Sequence, residues 1–206
     1  MAVIKFVYFD VGGVLIRDFS NTDQWTRLKR DLGVTELTEA EFDAVWQKYR
    51  AQICVGKDVD LVADELAQAV GLSLPPHYSM LEDFVQRFAR NESIWPVVAL
   101  ARQKYRIGLL TNLYPRMWQA ITAAKLTPAV AWDVIVDSSV VACQKPDAQI
   151  FAIAEQQAGC RPEEMFFTDN LAENVAAAAK RGWQTMLYDD TNYDRASKEL
   201  LERLFG

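Results

Sequence analysis

The stretch Val3-Ile4-Lys5-Phe6-Val7-Tyr8-Phe9-Asp10-Val11-Gly12-Gly13-Val14-Leu15 decides the fold. It is a nearly continuous apolar run, bounded by glycines and broken by one carboxylate. A strand buried on both faces of a parallel sheet reads in this way. Asp10 stands where that strand should stop. In open α/β sheets ligands bind in the crevice outside the carboxyl ends of the strands, so Asp10 is placed to meet a substrate. Gly12 and Gly13 permit a tight turn and a close backbone approach to a bound group.

Three later segments repeat the theme of an apolar run that ends on chemistry. Ile107-Gly108-Leu109-Leu110 leads into Thr111-Asn112, a hydroxyl and an amide. Lys145-Pro146-Asp147 follows a turn-like stretch and opens a helical pattern. Met165-Phe166-Phe167-Thr168 leads into Asp169-Asn170, with Glu173 and Asn174 one turn further on. A nucleophile, a hydroxyl, a lysine and an acidic metal candidate thus each fall just after a strand or at a helix start.

This order and spacing resembles the haloacid dehalogenase superfamily, most of whose members are magnesium-dependent phosphatases. The Phe-Asp-x-Gly-Gly-Val-Leu opening looks most like its branch of small sugar-phosphate phosphatases. The resemblance implies a Rossmann-like, doubly wound parallel α/β sheet formed by residues 1–15 and 93–206, with a small helical cap, residues 16–92, inserted after the first strand. It also implies roles. Asp10 is the nucleophile that forms an aspartyl-phosphate, which divides one hard displacement into two easier ones. Thr111 and Asn112 hold the transferring phosphoryl oxygens, and Lys145 offsets the charge of nucleophile and phosphate. Mg²⁺ takes oxygen ligands from Asp10, the Gly12 carbonyl, Asp169 and Asn170, with Asp169 the first choice because an amide oxygen binds the ion more weakly.

Gly12 departs from the family pattern, which has a second aspartate there to protonate the leaving oxygen. General acid-base help is worth about 10²–10⁴ in rate, so its loss needs an answer. Asp18, in the loop after Leu15, is one candidate; a leaving group that needs little protonation, or a slow enzyme, are others. Two alternative functions stay open. A 2-haloacid dehalogenase of the same fold also lacks this second acid, although Val11-Gly12-Gly13 and Thr168-Asp169-Asn170 do not match its motifs. A phosphate-ligand-binding protein that has lost turnover is the other.

The net charge of −6 over 206 residues argues against nucleic acid as a partner, since phosphate backbones need clustered Lys and Arg. The expected partner is instead a small phosphorylated molecule. Cys54, Cys143 and Cys160 are odd in number and lack metal-ligand spacing, as free thiols in a reducing compartment do. The single histidine, His77, follows Pro75-Pro76 in an expected loop, which leaves no basis for a Ser/His/Asp site. No apolar run reaches membrane-spanning length and no secretory leader pattern is present, so a cytoplasmic location is expected.

Between the first two core strands the pattern is helical. Trp25, Leu28 and Leu32 share a face that ends at Gly33. Thr38 and Glu41 read as a capping box ahead of Phe42, Val45, Trp46 and Tyr49. Helices are also expected over 61–70 and 77–90, with no strand before residue 92. Beyond it, helices at 96–104, 115–124, 147–157, 171–181 and 194–204 alternate with strands ending at Leu110, Val136, Thr168 and Tyr188. Asp147 is expected to cap its helix, Lys57 lies in the cap loop near Gly56, and Arg116 follows the second motif.

Overall fold

The computed structural model describes residues 3–206. Strand β1, Phe6–Phe9, is wholly buried and lies at the centre of a five-stranded sheet. Its neighbours are β4 (Arg106–Thr111) and β6 (Met165–Asp169), flanked by β5 (Val134–Asp137) and β7 (Gln184–Leu187), giving the order β5-β4-β1-β6-β7. Every pairing in this sheet is parallel. The strands therefore end on one edge, and their last residues gather there.

Period-two alternation divides the core into two layers. Val7, Phe9, Ile107, Leu109 and Phe166 face one side, against α5 (Trp95–Lys104), α6 (Met117–Ala123) and α10 (Tyr193–Phe205). Phe6, Tyr8, Leu110, Val136, Met165 and Phe167 face the other, against α8 (Ala148–Ala158) and α9 (Ala172–Lys180). On this second side Phe151, Phe167 and Trp183 meet edge to face, and the Tyr8 hydroxyl donates to the Ala154 carbonyl at 2.8 Å. Gly108 lies where a side chain has no room: a Cβ there would stand 2.8 Å from the Val134 carbonyl oxygen and 2.8 Å from the Tyr8 ring.

Helices α1 (Gln24–Asp31), α2 (Glu39–Ile53), α3 (Val59–Ala69) and α4 (Met80–Arg87) fill the stretch between β1 and α5. Their aromatic stripe packs inward as Trp25, Phe42, Trp46 and Phe84, and Trp46 and Phe84 also touch Tyr114 in the loop after β4. In that loop Arg116 reaches Asp58 and Asp60 at the start of α3, at 2.7 and 2.9 Å. The insert thus rests on loops at the carboxyl edge of the sheet.

Several local expectations need correction. The stretch before residue 92 does contain strands: β2 (Ile16–Arg17) and β3 (Ala89–Arg90) form an antiparallel pair at the two ends of the helical block. The fourth helix accordingly stops at Arg87, because Phe88 turns extended to enter β3. Helix α2 starts after Thr38, but the capping box is not formed. The Thr38 hydroxyl instead accepts from the Thr35 N–H at 3.1 Å. Asp147 precedes α8 without a side-chain capping bond. Asp58 and Ser79 do cap their helices through the side chain.

Candidate functional site

Strand order explains how distant residues meet. Asp10 follows β1 directly, and its N–H donates to the Thr168 carbonyl at 3.0 Å, continuing the ladder to β6. Thr111 ends β4 on the other side of β1, and Asp169 ends β6. Lys145 enters between β5 and α8. Its ammonium lies 2.9 Å from Asp10 Oδ1 and 2.5 Å from Asp169 Oδ2, with 1% of the side chain exposed. The Phe167 ring sits beside it, 5.3 Å from Nζ to centroid. One cation therefore serves two buried carboxylates.

The electrostatics follow from that imbalance. Burial raises the Asp10 pKa, Lys145 pulls it down and Asp169 pushes it up again, leaving Asp10 at about 7 in place of 3.8. Burial opposes the Lys145 charge, but Asp10 and Asp169 outweigh it and hold the lysine above its ordinary value. The pair thus favours a charged lysine and disfavours full ionisation of Asp10. A divalent cation would relieve this excess of negative charge.

Asp10 is oriented by two donors on one oxygen. The Val11 N–H, at 2.7 Å, and Lys145 both reach Oδ1, while Oδ2 accepts no hydrogen bond among the described residues. Thr111 is 1% exposed and its hydroxyl has no partner among the described residues. An orphaned buried hydroxyl costs about 1–3 kcal/mol. A ligand oxygen that accepts from it would recover that cost.

Asn112 has a different task from its neighbour. Its amide donates to the Lys145 carbonyl at 2.9 Å and accepts from the Lys145 N–H at 2.8 Å, so the side chain clamps the lysine loop. Asp169 is saturated: Oδ1 accepts from Leu171 N–H, Oδ2 from Lys145, and the Asn174 amide reaches both. Asn170 donates its amide nitrogen to Asp190 at 2.8 Å, which leaves its oxygen as the atom for a cation. The oxygen-only set of Asp10, Gly12 carbonyl and Asn170 suits Mg²⁺; Asp169, expected as the first choice for the ion, instead has both oxygens taken up by Lys145, Leu171 and Asn174. Glu173 is an exposed helix residue, while Lys57 and Arg116, both in loops, pair with Glu65 and with Asp58 and Asp60.

Sequence reasoning missed Asp190 and gave Asn174 no role. Asp190 accepts from both Asn170 and Asn21, and its position just past the last sheet strand was the available signal. It also left Asp18 as one option among several. The structure puts the Asp18 carboxylate against Gly12: a Cβ on Gly12 would lie 2.4 Å from Asp18 Oδ2. Burial raises the Asp18 pKa, with Asp190 adding to the rise against the pull of the Ser20 N–H. The three cysteines form no disulfide, and burial raises the Cys143 thiol pKa. A hollow of about 430 Å³ beside Asp64, Gln68, His77 and Tyr78 lies in the insert and involves none of the site residues.

A family model for haloacid dehalogenase-like hydrolases matches residues 4–182. The chain belongs to that family. Rat bifunctional epoxide hydrolase 2 is 25% identical over 205 residues, covering 91% of this chain; the chain spans only 37% of that relative's length. Among solved structures, a HAD-like family hydrolase from Porphyromonas gingivalis is 26% identical, with a TM-score of 0.75 over 97% of this chain and 98% of the other. A HAD family enzyme from Bacteroides thetaiotaomicron in complex with magnesium and inorganic phosphate has a TM-score of 0.72 at 20% identity, over 92% and 96%. L-2-haloacid dehalogenase from Xanthobacter autotrophicus superposes less closely, with a TM-score of 0.61 at 22% identity over 90% and 78%. The doubly wound α/β fold expected from the motifs is the one these HAD-like neighbours share.

Proposed function

We propose that this HAD-like hydrolase is a Mg²⁺-dependent phosphatase acting on a small phosphorylated metabolite, such as a sugar phosphate, through an aspartyl-phosphate on Asp10. The observation that carries the reading is the buried Lys145 shared by Asp10 and Asp169, beside an unpartnered Thr111 hydroxyl. In this reading Asp10 Oδ2, which accepts no hydrogen bond, attacks phosphorus. Thr111 donates to a phosphoryl oxygen, and Lys145, clamped by Asn112, balances the charge that builds up. Asp10, the Gly12 carbonyl and Asn170 would hold Mg²⁺, which when bound screens the phosphate dianion from the carboxylate. Residues 16–92 serve as the cap that selects the substrate in the cytoplasm, with neither nucleic acid nor membrane as partner. Among the described residues no helix is long and apolar enough to cross a membrane.

The test is a panel of sugar phosphates and p-nitrophenyl phosphate, with and without Mg²⁺, beside L-2-chloropropionate. Metal-dependent phosphate release that Asp10→Asn abolishes is the expected result. Chloride release without metal would instead assign the chain to the dehalogenases. Saturable binding without any product would make it a binding protein.

A further inference from the structure

We propose that Asp18 supplies the acid-base carboxyl that Gly12 cannot, reaching from the loop after β2 into the space that a side chain at position 12 would fill. The proposal rests on the phosphatase reading and deepens it.

Gly12 does not need to be glycine for its backbone. Its φ lies outside the left-handed region, whereas that of Gly13 is +73°. What crowds a side chain there is Asp18: the three heavy atoms nearest to a Cβ built at Gly12 are Asp18 Oδ2 at 2.4 Å, Cγ at 3.3 Å and Cβ at 3.8 Å. Glycine at one position and aspartate at the other thus describe a single carboxyl delivered from a different point of the chain. The loop is held for this. The Ser20 N–H donates to Asp18 Oδ1 at 2.9 Å, leaving Oδ2 as the oxygen turned to Gly12. Behind it, Asn21 is tied to Asp190, which also holds Asn170.

The steps balance. As Asp10 bonds to phosphorus, the bond from phosphorus to the leaving oxygen breaks, and protonated Asp18 gives that oxygen its proton, releasing an alcohol. The resulting Asp18 carboxylate takes a proton from a water whose oxygen attacks the phosphorus of the aspartyl-phosphate. The bond between phosphorus and Asp10 breaks, phosphate leaves, and Asp18 is protonated again.

Two variants test this. Asp18→Asn keeps an oxygen to accept from Ser20 but has no proton of carboxyl acidity. Gly12→Asp combined with Asp18→Ala moves the carboxyl to the family's usual position; alanine leaves only a Cβ at 3.8 Å, an ordinary contact. Each is assayed with Mg²⁺ on p-nitrophenyl phosphate, whose leaving group needs little protonation, and on a simple alkyl phosphate, whose leaving group needs a proton. For Asp18→Asn, kcat/KM on the alkyl ester should fall by about 10²–10⁴. On the nitrophenyl ester kcat/KM should change by less than about tenfold, while kcat falls and a nitrophenol burst appears as phosphoenzyme accumulates. The transplanted carboxyl should restore at least about tenfold of the alkyl-ester loss. Equal losses on both esters, an unchanged Asp18→Asn enzyme, or a transplant that restores nothing would each overturn the proposal. Asp10→Asn keeps the two readings apart. If it abolishes turnover while Asp18→Asn is unaffected, the phosphatase stands and Asp18 is not its acid.

Discussion

Replacing Lys145 by methionine removes the one cation that the structure places between two buried carboxylates, and its cost can be worked out in advance. The ammonium lies 2.9 Å from Asp10 and 2.5 Å from Asp169, and both carboxylates are at least nine-tenths buried in their side chains. Removing one partner of a buried ion pair costs about 3–5 kcal/mol, because the charge left behind is uncompensated. For a chain of 150–250 residues each kcal/mol moves Tm by about 2–4 °C, so Lys145→Met should melt roughly 6–20 °C below the wild type. The loss should be greater at pH 8.5 than at pH 5.5, since Asp10, already raised by burial and now without the lysine that lowered it, relieves the strain by taking a proton at the lower pH. Thermal unfolding is followed by circular dichroism in EDTA, with urea titrations to check that the m-value is unchanged. Adding Asp10→Asn to Lys145→Met should recover part of the loss, because one of the two stranded charges is then gone. A Lys145→Met protein that melts within about 3 °C of the wild type at pH 8.5 would refute the idea that this lysine neutralises a buried pair.

Three further outcomes follow from the same structure. In metal-free protein the Asp10 pKa, raised from 3.8 to about 7, means that the folded state holds a proton the unfolded state has lost; stability should therefore fall as pH rises from about 4 to 7, and Asp10→Asn should flatten that fall in Tm scans. Gly108→Ala forces a Cβ to within 2.8 Å of the Val134 carbonyl oxygen and the Tyr8 ring, and urea unfolding should register a loss of about 1–3 kcal/mol. Arg116→Ala breaks ion pairs to Asp58 and Asp60 in which the arginine side chain is 53% exposed, so it should cost no more than about 1 kcal/mol, and less in 1 M salt.

The parts that were legible in the sequence were those that burial alone dictates. β1, β4 and β6 are covered on both faces, so they read as unbroken apolar runs, and the residues that follow them had to lie on one sheet edge. Thr111 and Asp169 were found with Asp10 for that reason, whereas Lys145 follows a turn-like stretch and its role was supplied by the family resemblance. Partner choice was not legible. Whether Asn112 faces a ligand or the Lys145 backbone, and whether Asp169 pairs with Lys145 or with a metal, depends on how segments 33 and 24 residues apart are seated. The β2-β3 pair escaped for a related reason. A ladder of two residues on each side has no periodicity, and its pairing partner lies some seventy residues away in the chain.

That short ladder has a consequence for how such proteins can diverge. Arg17 stands opposite Ala89, so the chain leaves the sheet domain and returns to it at neighbouring points. Changes of length between 18 and 88 therefore enter and leave the sheet at this one seam, while Trp46, Phe84, Asp58 and Asp60 tie the helices to the loop after β4. Asp18 is the first residue on the insert side of this seam. A graft made there would carry away a carboxyl beside Gly12 along with the helices, so under the proposed roles selectivity and reactivity would be exchanged together.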